Sequence, residues 1–165
     1  MLINIQDWTF SVDTDATVAF SSNKLTDQCQ CGYCRNYYHT IDHAYPALRS
    51  FLADFGVYAD APDELMPFEP TLYSATFCVS GSILHYGTSH LKIDGMEIRV
   101  IDENDLDFPT RCPKPFFALS TSVFEVPWVL DEDMNEVVSP ANEPEYLERM
   151  WKKLLDAAPS ELMQS

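Results

Sequence analysis

From Cys34 to Phe55 the apolar residues recur at steps of three and four. Advancing about 100° per residue from Ile41 places Cys34, Tyr37, Ile41, Tyr45, Leu48, Leu52 and Phe55 within roughly 40° of one line. That is the buried stripe of an amphipathic helix. Pro46 has no amide hydrogen and clashes with the preceding turn, so the pattern predicts either one kinked helix or two short ones, with Pro46 opening the second. Gly56 follows the last stripe residue and suits the left-handed position after a helix. Asp27 caps the helix if it begins before the cysteines, and Asn36 if it begins after them. His39 and His43 fall about 160° from the stripe, on the face that meets water. Their spacing suits a shared metal, and a solvated pair is the plainer reading.

Elsewhere the period is two. Residues 2–10 and 17–21 read as strands of a hairpin turning at Asp13–Asp15. Residues 58–70 are rich in proline and acid, and Asp60 or Asp63 is placed to cap a short helical turn there, with Leu65, Met66 and Phe68 as its anchors. Along residues 72–83, Tyr73, Ala75, Phe77 and Val79 alternate with Ser74, Thr76, Cys78 and Ser80, the signature of a strand. Asp94-Gly95, between alternating segments, is the strongest hairpin signal in the chain, with Met96, Ile98 and Val100 on one face and Glu97 and Arg99 on the other. A loop over 102–115 carries Cys112 between prolines, and a strand over 116–130 is broken by Pro127. Residues 142–158 predict a last helix, opened by Asn142 and Glu145 and packed on the sheet through Leu147, Met150, Trp151, Leu154 and Ala158.

Composition narrows the class. The 165 residues suit one domain, and 46% hydrophobic with 13% aromatic residues is a globular composition. With 26 acidic against 10 basic residues the formal charge is −16, which repels nucleic acid and anionic membranes and attracts a basic protein partner. The opening M-L-I-N-I-Q-D-W-T-F has neither a basic segment nor a long apolar run, and no stretch has the length of a membrane span. The expectation is a cytoplasmic chain whose five cysteines stay reduced.

The chemistry concentrates at C-Q-C-G-Y-C, residues 29–34. Cys29, Cys31 and Cys34 supply three thiolates for zinc, one fewer than a closed structural site takes, so Cys78 or Cys112 is the expected fourth ligand. Cys31 and Cys34 alternatively form a C-x-x-C redox pair, in which the helix N-terminus favours the Cys31 thiolate and a more buried Cys34 resolves the mixed disulfide. Thioredoxin-like folds lead a strand directly into such a motif, whereas polar residues 22–28 intervene here. The third reading is packing alone, with Arg35 and Asn36 donating to loop carbonyls or a carboxylate. Asp131, Asp133 and Asn135 match the start of a calcium loop but lack its glycine and closing glutamate. There is no phosphate-binding glycine loop or nucleophile elbow, and nothing pairs His85 or His90 with a nucleophile, so an enzyme is disfavoured.

The run C-x-C-x-x-C-R-N-Y at 29–37, Phe55-Gly56 and V-P-W-V-L-D-E at 126–132 resemble a group of small bacterial proteins to which no activity is attached. The resemblance implies that these segments share one domain, and it assigns no catalytic or binding residue. The expected architecture is α+β: an antiparallel sheet in a two-layer sandwich of about six to eight strands, with the cysteine-led helix and the C-terminal helix packed on it. The expected role is a non-enzymatic interaction module, and the alternative is a thiol protein with zinc or redox activity.

Overall fold

The chain turns back on itself within its first dozen residues. In the computed structural model, which describes residues 1–26, 28–136, 148, 151, 152, 155 and 156, strands β1 (Leu2–Ile5) and β2 (Trp8–Val12) form a hairpin across Gln6 and Asp7. The segment expected as one strand is therefore already two. Helix α1 (Thr14–Lys24) follows, where the alternation predicts a strand over 17–21. Asp13 caps it, accepting the Ala16 amide at 3.0 Å. The inward residues of α1 are Thr17 and Ser21, one turn apart. The Thr17 hydroxyl donates to the Asp13 carbonyl at 2.8 Å and accepts the Ser80 amide at 3.1 Å, and Ser21 accepts the Tyr58 amide at 3.0 Å. A helix that buries hydroxyls leaves no apolar stripe to read, which is why its period is hidden.

The stripe from Cys34 to Phe55 becomes two helices, α2 (Gly32–Ala44) and α3 (Pro46–Asp54), separated at Tyr45 with Pro46 in the first position of α3. Cys34, Tyr37, Ile41, Leu48, Leu52 and Phe55 are all buried, and Tyr45 is half-buried. Gly56 takes φ +85°, and the Val57 amide donates back to the Leu52 carbonyl, the closure expected of a left-handed helix end.

Residues 64–69 correct the expected helical turn. They form β3 (Glu64–Glu69), paired with β4 (Leu72–His85) so that Leu65 faces Ala75 and Met66 faces Ser74. Asp63 caps no helix. Its carboxylate accepts the Cys78 amide at 2.7 Å and pairs with Lys24 at 3.3 Å. Strands β5 (Leu91–Ile93) and β6 (Met96–Asp102) turn at Asp94 and Gly95, with φ +51° and +79°, as the Asp-Gly signal predicts. The last strand splits into β7 (Phe116–Thr121) and β8 (Phe124–Glu125), so the break falls before Pro127.

Among the described residues all pairings are antiparallel, and eight strands form one sheet in the order β1-β2-β4-β7-β6-β5, with β3 and β8 also on β4. The fold is α+β, and helices supply the layer over the sheet. Tyr73, Ala75, Phe77 and Val79 of β4 share a core with α2 and α3. The opposite face holds a smaller cluster of Cys78, Cys112, Phe116 and Ala118, against which Phe20 of α1 packs. Because both faces are covered, Ser74, Thr76 and Ser80 are buried too, and Thr76 pairs with Ser120 at 2.9 Å. Of the expected C-terminal helix, Glu148, Trp151, Lys152, Leu155 and Asp156 are helical. Trp151 is 59% exposed, so it is not a packing residue, and Asn142, Glu145, Leu147, Met150, Leu154 and Ala158 lie outside the described residues. No described helix is long and apolar enough to cross a membrane.

Three phenylalanines tie the sheet to α3. Phe10 stacks on Phe117 at 4.8 Å, and Phe55 meets both rings edge-on, at 5.4 Å and 6.2 Å. Phe117→Ala empties the centre of this group, and urea denaturation should show a loss of about 3–5 kcal/mol with the same sheet content by circular dichroism. A loss under about 1 kcal/mol would place the core's weight elsewhere.

Candidate functional site

Helix α2 begins at Gly32, so its N-cap is Cys31. Neither expected cap holds that position: Asn36 lies inside the helix, and Asp27 lies outside the described residues. A helix start leaves amide hydrogens unpaired, and the Cys31 sulfur takes one of them, the Cys34 amide, at 3.4 Å. Cys34 points into the protein at 6% exposure, Cys31 is half-buried and Cys29 is exposed. The three sulfurs lie within 4.8 Å of one another, close enough to hold a metal ion. Among the described residues this is the one such grouping of three or more Cys, His, Asp or Glu side chains.

The other sequence candidates stay apart from it. His39 and His43 are exposed on the far side of α2, as their phase predicts, and neither reaches the sulfurs. Cys78 and Cys112, expected as a fourth zinc ligand, are across the sheet in the smaller cluster. Their neighbours are Phe116 and Ala118, and Cys78 alternates on β4 with residues that face α2. Strand geometry carries Cys78 to that face, since successive side chains point to opposite sides, and the loop before β7 carries Cys112 there. Burial pushes the Cys78 thiol up, with Asp63 adding, and raises Cys112 to about 12 for the same reasons. Both are inert thiols at neutral pH. Among the described residues Asp131 and Asp133 join no metal-sized group.

Residues 126–132 close over the first turns of α2. The wholly buried Asn36 donates to the Pro127 carbonyl at 3.0 Å and accepts the Val129 amide at 2.8 Å. Arg35 donates to the Gln30 carbonyl at 2.8 Å and grips both oxygens of Glu132, at 2.9 Å and 2.7 Å. The Trp128 indole donates to the Glu132 carbonyl at 2.8 Å. Arg35 and Asn36 thus have the loop-carbonyl and carboxylate partners that the packing reading gives them. Between the two segments lies an open groove of about 430 Å³ beside Cys31, edged by Gln30, Arg35, Glu132, Asp133 and Glu136. The sequence marks Asp133 as part of a calcium-loop start and Glu132 as the end of the V-P-W-V-L-D-E run, but nothing in their spacing says that they meet the cysteines, and no local signal marks Glu136.

Charge separates the thiols. The hydrogen bond from the Cys34 thiol is the main reason Cys31 is pulled down to about 5, with the Cys34 and Tyr33 amides and the Cys29 thiol adding and burial opposing. The reverse side of that bond, then burial, then the negative charge on Cys31, drives the Cys34 thiol far up. Tyr38 is raised by burial first and then by the neighbouring sulfurs, so it stays protonated. The arrangement holds one thiolate at the helix end with a protonated thiol beneath it. Compared with protein-family models, curated proteins and solved structures, the chain matches none.

In reduced, metal-free protein, iodoacetamide labelling of Cys31 should therefore level off above about pH 6, read by peptide mass. A lowered thiol is already ionised there, whereas an ordinary cysteine gains rate up to about pH 8.5. Labelling of Cys31 that keeps rising through pH 8 would contradict the hydrogen-bonded geometry.

Proposed function

We propose that this chain is a metal-binding thiol protein in which Cys29, Cys31 and Cys34 hold one zinc ion. The observation that carries the reading is the convergence of three sulfurs within 4.8 Å. Zinc–sulfur bonds of about 2.3 Å in a tetrahedral site set sulfurs about 3.8 Å apart, so a small inward movement of each thiol completes three-quarters of the shell. Three thiolates are a soft donor set that selects zinc over magnesium or calcium. The Cys34 amide already donates to one of the sulfurs, the kind of outer contact that fixes a ligand's orientation. A non-sulfur donor takes the fourth position, because the remaining two cysteines lie across the sheet.

Asn36 and Arg35 support the site from behind by anchoring its helix to residues 126–132. A basic protein partner is a compatible part of the proposal, since the formal charge of −16 attracts one with or without the ion.

Protein purified without chelator should carry one zinc per chain by elemental analysis. Cobalt substituted for zinc should show sulfur-to-metal charge-transfer absorption. Serine at Cys29, Cys31 or Cys34 should weaken zinc affinity by tenfold or more, on the order of 1.4 kcal/mol or above, while Cys78→Ser and Cys112→Ser leave it unchanged. Equal losses at all five cysteines, or a reduced protein that takes up no zinc, would end this reading.

A further inference from the structure

We infer that Cys31 and Cys34 close a disulfide by exchange with a small neutral or cationic disulfide, ejecting the metal and leaving Cys29 as a free thiol. This rests on the metal reading for what is ejected, and on independent geometry for which sulfurs react.

The geometry gives the two cysteines different parts. Cys31 lines the groove beside the helix end, and Cys34 does not. A small disulfide can therefore approach Cys31, half-buried at the rim, while Cys34 waits beneath it at 6% exposure. The Cys34 amide donates to the Cys31 sulfur, which holds the pair over a single helical turn with the sulfurs inside 4.8 Å. Residues three apart on a helix face one another, with Cβ atoms about 5–6 Å apart, and a disulfide needs only a modest tightening of that first turn. Cys29 and Cys31 are separated by one residue, and a ring that small strains the bond. The groove also selects the oxidant. Arg35 is occupied by Glu132, so Asp133 and Glu136 leave the rim negative and disfavour an anionic disulfide.

Cys31, as thiolate, attacks one sulfur of the incoming disulfide. A Cys31 mixed disulfide forms, and the first thiolate leaves with the bonding pair. Cys34, which gave up its proton when it took the ion, then attacks the Cys31 sulfur as a thiolate, expels the second thiolate and closes the protein disulfide. Both expelled thiolates take protons from water. Two cysteine thiolates are oxidised, one small disulfide is reduced to two thiols, and the ion, left with one sulfur and one non-sulfur donor, departs.

The test treats zinc-loaded wild-type protein with cystamine, follows zinc with a chromophoric chelator and maps disulfides by peptide mass after acid quenching. One zinc should leave per Cys31–Cys34 disulfide, with Cys29 open to alkylation, and oxidised glutathione should act at least tenfold more slowly at low salt. Cys34→Ser should stop at a cystamine adduct on Cys31, and Cys29→Ser should still close the disulfide, with circular dichroism confirming that both are folded. A disulfide that maps to Cys29, or an adduct trapped on Cys29 in Cys34→Ser, overturns the assignment. Zinc retained with no disulfide formed overturns this inference alone. Protein that holds no zinc before cystamine is added overturns the metal reading and the ejection step together.

Discussion

A sulfur stands where a helix most often places an oxygen. Cys31 caps α2, and its contact with the Cys34 amide puts the polar end of the helix, the buried third thiol and the exposed first thiol in one small volume. The grouping of the three sulfurs descends from that placement. Had the helix begun at Asn36, Cys34 would sit in a loop and its burial would have no cause. Beginning at Gly32, the helix carries Cys34 as the first member of the stripe that continues through Tyr37 and Ile41 into the core.

The helix can present its end this way because its body is fixed from three sides. The Tyr37 hydroxyl donates to the Ala59 carbonyl at 2.6 Å, which ties α2 to the segment leaving α3. Tyr73 of β4 lies within 2.8 Å of the Tyr33 carbonyl, which ties the first turn to the sheet. Asn36 closes the third side against residues 126–132, using both its donor and its acceptor in a place where water has no access. A buried amide satisfied at both ends holds two segments in one register, because a shift of either leaves polar groups unpaired.

The parts of this fold that were legible are those whose burial is apolar. The α2–α3 stripe, the alternation along β4 and the Asp-Gly hairpin all announce themselves, because hydrophobic period and turn chemistry agree there with tertiary structure. Helix α1 does not, since Thr17 and Ser21 bury hydroxyls whose partners are Ser80 and Tyr58, far along the chain. β3 is hidden for a related reason: its ladder with β4 overrides the local turn preference of a proline-rich, acidic segment. At the site, the cysteine spacing and the inward phase of Cys34 were readable. That Cys78 and Cys112 stand behind the sheet was not, because the face of a strand, and the side on which a loop such as that of Cys112 lies, have meaning only once the neighbours are known. The acids of the groove reach Cys31 through the fold of 126–136, which no local pattern encodes.

The proposed metal centre stands or falls with three sulfurs at the start of α2 sharing one ion. X-ray absorption at the zinc edge, on reduced protein loaded with one equivalent of zinc, asks this directly. The expected shell is three sulfurs at about 2.3 Å and one lighter atom. A shell of four sulfurs, or one made only of nitrogen and oxygen, would contradict it.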